Sequence, residues 1–237
     1  MKKATSTFLT IGLALSGLAI VTASASAALR APQEPVGGTN LQTYLNSQGE
    51  SAIDVNTDQE DIQTWTTTVS GNSTFTLMME FAGNAPLNDI GIYNGGDVSP
   101  AFYQVFPGAA AAGWFATASF RNSPVRVIVN LFDQNGTLQT SNTYFGADRS
   151  NFGVYLQGPG GTFYTQDARN PGARVQALTF AGTGINTGSW WICMEDLAMN
   201  SGSDGDYDDA ILFVESVNPA PTAVNTTTWG TLKNRFR

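Results

Sequence analysis

From Ile62 onward the apolar positions fall in short runs of β-branched and aromatic residues, each closed by a turn signal. Period-two alternation over four to eight residues marks a half-buried strand, and regularly spaced runs of this kind mark an all-β sandwich or barrel. The pattern predicts strands over residues 62–69, 74–81, 89–93, 101–106, 113–120, 125–132, 151–156, 163–165, 173–180, 189–194 and 210–217. Gly71-Asn72, Asn94-Gly95-Gly96, Asn135-Gly136, Gly158-Pro159-Gly160-Gly161, Asn170-Pro171-Gly172 and the glycine-rich stretch 182–188 supply the turns between them. The expected fold is one all-β domain over residues 61–217, a β-sandwich of jelly-roll-like or related Greek-key topology. Upstream, Leu41, Tyr44 and Leu45 stand at i, i+3 and i+4 behind a Thr39 or Asn40 cap. That spacing predicts a short N-terminal helix over residues 40–46, within a leader of residues 28–60, plugging one end of the sandwich. No exact internal repeat is visible.

The two ends read differently. Lys2 and Lys3, the apolar stretch 8–21 and Ala25-Ser26-Ala27 form the pattern of a secretory signal over residues 1–27. Its apolar run is too short and too interrupted for a membrane span. An exported protein with no span after signal removal is therefore expected. At the other end, residues 218–237 form a proline-containing linker and a basic tail with Lys233, Arg235 and Arg237. This tail reads either as a frayed terminus or as an attachment signal.

Charge and missing residue types narrow the chemistry. The chain carries 19 acidic and 11 basic residues, a net charge of −8. Loss of the two signal lysines leaves nine basic residues and a net charge of −10, which speaks against nucleic acid as a partner. Histidine is absent, which removes the Ser-His-Asp and Cys-His nucleophile arrangements and the usual zinc sites. Cys193 is the sole cysteine, so no intramolecular disulfide forms, and its apolar setting suits a buried small hydrophobe.

The strongest candidate chemistry lies in residues 195–209, EDLAMNSGSDGDYDD, between two apolar strand-like runs. Glu195, Asp196, Asp204, Asp206, Asp208 and Asp209 would repel one another without a cation, and Ca2+ takes six to eight oxygen ligands on loose backbone. An EF-hand is excluded. Asp209 occupies the position where that loop needs glycine, and an extended 210–214 segment carries Glu215 roughly 20 Å away. The expected site instead pairs Glu195 and Asp196 against Asp208 and Asp209 across a hairpin, with Asp204 and Asp206 completing the shell and Tyr207 packing over it. The competing reading is a set of Asx-type turns with solvated carboxylates. Asp167 and Asp89 are either further contributors or turn formers, and Asp54, Asp58, Glu60 and Asp61 read as a solvated surface.

Glu195 and Asp206 could be cast as a glycosidase pair beside Trp190 and Trp191, but adjacent strand residues point to opposite faces, and no nucleophile constellation exists. No enzymatic activity is expected. A protein of a different class, a carbohydrate-binding module stacking sugars on Trp114, Trp190 or Trp65, is the alternative. The expected partner is an extracellular ligand, polysaccharide or cell-surface component.

The segments NFGVYLQGPGGTFYTQDARN from Asn151 and SWWICMEDLAMNSGSDGDYDDAILFVESV from Ser189 carry a family resemblance. With the upstream MEFAG and DIGIYN stretches, Trp65 and the 41–45 segment, they resemble the domain-of-unknown-function family numbered 4114, found in exported bacterial proteins. The family-like core spans about residues 140–217, and SDGDYDD is its most specific part. Asp208 stands where the family usually has asparagine. The proline-glutamate-proline sorting signal common among its members is not matched. The resemblance implies a jelly-roll-like extracellular domain suspected of binding calcium, with no agreed biochemical activity.

Overall fold

A computed structural model describes Gln33, Pro35, residues 40–79 and residues 84–221. The expected signal, most of the leader and the tail beyond Pro221 lie outside the described residues. Within them the fold is the expected all-β sandwich, two antiparallel sheets with one short helix. The strands are β1 (Trp65–Thr67), β2 (Asn72–Met79), β3 (Asp89–Asn94), β4 (Phe102–Phe106), β5 (Phe115–Asn122), β6 (Val125–Phe132), β7 (Leu138–Phe145), β8 (Phe152–Gly158), β9 (Gly161–Tyr164), β10 (Ala177–Ala181), β11 (Trp190–Met194), β12 (Ala210–Glu215) and β13 (Val217–Pro219). One sheet runs β13-β1-β8-β3-β4 with β9 on β8; the other runs β10-β11-β12-β2-β5-β6-β7.

Alternation explains which side chains meet. In β6, Val127, Val129 and Leu131 turn into the space between the sheets while Arg126, Ile128, Asn130 and Phe132 face outward, the period-two pattern of a one-sided strand. Trp65 and Trp190 pack edge to face in that core, ring centroids 6.3 Å apart. A close backbone approach fixes Gly91. A Cβ there would stand 2.3 Å from the Tyr103 carbonyl oxygen and 2.8 Å from the Tyr155 ring. Gly91→Ala is therefore expected to destabilise by about 1–3 kcal/mol, as overpacked sites do, read as a lower urea midpoint at unchanged slope.

A second apolar cluster lies on the far side of the seven-stranded sheet. Leu178 and Phe180 of β10, Trp191 and Cys193 of β11 and Ile211 of β12 point away from the sandwich core. Helix α1 (Leu41–Ser47) covers them with Leu41 and Leu45, and Ile53 and Val55 follow. The Asn40 side chain accepts from the Thr43 backbone N–H, which fixes the helix start. The helix thus roofs an outer sheet face instead of plugging an end, because β10–β12 are apolar on both faces and need cover twice. Glu50, buried just after the helix, accepts from Thr183 N–H (2.8 Å), Thr183 hydroxyl (2.6 Å), Asn186 Nδ2 (2.8 Å) and Trp191 Nε1 (2.8 Å).

The strand pattern was incomplete at the edges. β7, LQTSNTYF, pairs with β6 along its whole length although its sequence alternates nothing. It is an edge strand exposed on both faces, and only Tyr144 is half-buried, so no burial imprints a period. β13 includes Asn218 and Pro219, expected as linker; proline is tolerated there because β13 is itself an edge. The strand expected from Ala173 starts at Ala177, after two short 3-10 turns at Asp167–Arg169 and Pro171–Ala173.

Candidate metal centre

The 195–209 loop joins β11 to β12, whose register sets Met194 opposite Ala210. Glu195 therefore leaves the sheet where Asp209 enters it, and the intervening chain folds back over both. Gly202, Gly205 and Tyr207 adopt positive φ (114°, 75° and 59°), which turns the loop inward. Glu195, wholly buried, holds this turn: one carboxylate oxygen accepts the Tyr207 backbone N–H and the other the Ser203 hydroxyl. Ser203 in turn accepts the Gly205 N–H at 3.0 Å.

Glu195, Asp204 and Asp206 each offer an oxygen within 4.8 Å of the others. That is the greatest separation of two oxygens across one ion when each Ca–O distance is about 2.4 Å. Asp206 is buried and Asp204 exposed, so the cluster has one open side. Asp208 flanks it. Its backbone N–H donates to Asp206 Oδ1 at 3.2 Å, and its Oδ2 is buried without a hydrogen-bond partner. A buried acceptor left unmade costs free energy unless something else meets it.

Among the described residues no cation is paired with this charge. None of the four carboxylates is paired with a basic side chain, and the described residues include no lysine. Arg121, Arg126, Arg149 and Arg169 direct their guanidinium N–H groups to carbonyl and amide oxygens elsewhere. The electrostatic consequence is uniform in sign. Burial, and then the charges of Asp206 and Asp204, push the Glu195 carboxyl above the usual range despite its two donors. Burial, followed by the neighbouring Asp206, raises Asp208 to about 7. Asp209 also rises to about 7, through burial first and the charges of Asp196, Glu195 and Asp204 against the pull of the Asp196 N–H.

The expected facing pairs do not form as drawn. Asp196 turns to the other side, where its Oδ2 accepts from Asn88 Nδ2 at 3.0 Å. Asp209 Oδ2 accepts the Asp196 backbone N–H at 2.9 Å, so it closes the hairpin. Successive residues of a strand point to opposite faces, so Glu195 and Asp196 split across the hairpin. Tyr207, expected to pack over the site, is instead buried in the outer cluster, with its hydroxyl donating to the Val175 carbonyl at 3.3 Å. Asp167 opens a 3-10 turn, its Oδ2 accepting from Gln63 at 3.0 Å, and Asp89 Oδ1 accepts the Gly108 N–H at 3.1 Å. Neither joins the triad. Ser203 and Asn88 were missed: a serine among aspartates carries no special signal, and Asn88 lies 108 residues from its partner.

Two of the three candidate stacking tryptophans are buried. Trp65 is 1% exposed and Trp190 8%, both in the inter-sheet core, while Trp114 is half-buried against it. Among the described residues no helix is long and apolar enough to cross a membrane. No protein-family model matches the chain, and no match is found among curated proteins or solved structures.

Proposed function

We propose that this chain is an exported, non-catalytic bacterial surface or matrix protein that holds Ca2+ in the β11–β12 loop. Glu195, Asp204 and Asp206 are the ligand set, Asp208 supplies a further oxygen, and Asp196 and Asp209 are positioning residues. The carrying observation is the unpartnered Oδ2 of Asp208, buried beside a carboxylate triad that no arginine among the described residues pairs with. Hard-cation chemistry suits an all-oxygen set on a loop bent by positive-φ residues. The resemblance of SDGDYDD and its flanks to family 4114 agrees with this reading, as does the signal-like start.

Calorimetric titration of the chelated protein with Ca2+ tests it. Wild type is expected to bind in the range of extracellular modules, Kd about 10⁻⁴–10⁻³ M or tighter. Asp206→Asn/Asp208→Asn is expected to give no binding heat. Asp196→Asn is expected to retain it, because that side chain faces Asn88 and not the triad. Undiminished binding by the Asp206/Asp208 double variant would reject the ligand set.

Carbohydrate binding is a second reading, moved from tryptophan to phenylalanine. Phe115 and Phe132 stack across β5 and β6 with centroids 5.0 Å apart on the outer sheet face. The next cross-strand row, Thr117, Asn130 and Ser141, is hydrogen-bonded. Wild type is then expected to be retarded in gels cast with neutral glucans or xylan, and Phe115→Ala/Phe132→Ala to run free. Equal mobility of both proteins on every polysaccharide removes this reading.

A further inference from the structure

We infer that the β11–β12 loop is a latch for helix α1, so that cation occupancy controls how firmly the N-terminal segment sits on the sheet. This rests on the cation site proposed above and concerns where its stabilisation is delivered. Tyr207 lies between Asp206 and Asp208, yet its side chain is fully buried in the outer cluster with Leu41 and Leu45 of the helix. Its φ of 59° is a conformation that a bulky residue keeps only when its surroundings enforce it. Two hydrogen bonds help to hold it there: the Glu195 carboxylate accepts the Tyr207 N–H, and the Val175 carbonyl accepts its hydroxyl. Met199, which meets the Ser203 hydroxyl at 3.1 Å, packs on the same cluster.

Removing a cation from this turn leaves mutually repelling carboxylates on both sides of Tyr207, and the turn relaxes outward. The roof of the cluster then loosens. Helix α1 is seven residues long, below the length at which a helix persists without packing. Two further ties do not involve the loop: the Tyr44 hydroxyl on the Met78 carbonyl, and Glu50 on the β10–β11 turn. They keep the helix tethered near the sheet, so the response is local loosening and not loss of the fold.

Hydrogen exchange on the full chain, in about 1 mM Ca2+ and in chelator, tests the latch. Amides of residues 41–48 are expected to exchange about tenfold faster in chelator, together with those of 199–208, while β6 stays protected. Asp206→Asn is expected to show the fast helix exchange in both conditions. Acceleration confined to the loop, with the helix unchanged, overturns the latch and leaves the cation site standing. Acceleration of β6 to the same extent also overturns it, since the effect is then global. No change anywhere, with no calcium binding, removes the latch and the site together.

Discussion

Calcium is expected to raise the thermal midpoint of the chelated protein by about 5–10 °C at 100 times its Kd. Ligand binding to the folded state alone contributes about 2.7 kcal/mol at that concentration. A domain of 150–250 residues gains about 2–4 °C per kcal/mol. The physical source is relief of crowding among Glu195, Asp204, Asp206 and Asp208, of which only Asp204 is exposed. The same crowding gives the metal-free protein a distinctive pH response. Asp208 and Asp209 have folded-state values raised to about 7, so the folded chain holds protons that the unfolded chain has released. Stability in chelator therefore falls as pH rises from the ordinary carboxylate range toward 7 and levels off above it. Calcium competes with those protons and is expected to flatten the decline. The Asp206→Asn/Asp208→Asn protein is expected to melt at one temperature whatever the calcium level. Midpoints of wild type that ignore calcium between pH 6 and 8 would show the loop to be a solvated turn.

Loss of the Glu50 carboxylate is the other large effect. Glu50→Ala leaves the Trp191 indole N–H, the Thr183 N–H and hydroxyl and the Asn186 amide without their acceptor. Each buried donor left without an acceptor costs about 1–3 kcal/mol, so losing all four acceptor contacts removes several kcal/mol of the roughly 5–15 kcal/mol of a typical domain. A midpoint drop on the order of 10 °C is expected. The sign of its pH dependence is opposite to that of the acidic loop. Burial opposes ionisation of Glu50, but its four donors outweigh burial and hold its value below the usual glutamate range. Its contribution is therefore complete above about 4.5 and lost as pH falls through the lower folded value. Glu50→Gln keeps the shape and loses the charge, so acid unfolding of that variant is expected to lack this component. An alanine variant within a degree of wild type would mean that water replaces the carboxylate without cost.

The parts of the fold that were legible in the sequence are those where burial writes a pattern. β6 alternates because its inner residues meet the opposite sheet, and Leu41, Tyr44 and Leu45 repeat because one helix face meets β10–β12. β7 buries nothing on either face except part of Tyr144, and its sequence alternates nothing. The helix location was misjudged for a related reason. WWICM is buried on both faces, which reads as a core strand but does not say which element covers its second face. At the site, residue type and spacing identified the acidic loop as the place where carboxylates collect. They could not divide Asp196 from Glu195, because that division depends on Asn88 reaching across from the other sheet. Glu50 gave no signal: a glutamate after a short helix usually faces water, and the four donors that bury it come from residues 183–191.

The edge strand β7 offers one more consequence, for engineering. Asp133 binds the Asn135 and Thr137 N–H groups and the Gln139 side chain, so the β6–β7 turn, and not burial, sets where the strand begins. No core residue depends on what lies between Leu138 and Phe145 except through Tyr144, which packs on Tyr103. A foreign octapeptide of β-forming residues that keeps this tyrosine and the preceding turn could be written into the sheet in place of the native one. The protein then displays a guest sequence as a rigid, extended, solvent-facing ribbon, far along the chain from the acidic loop and the helix it supports.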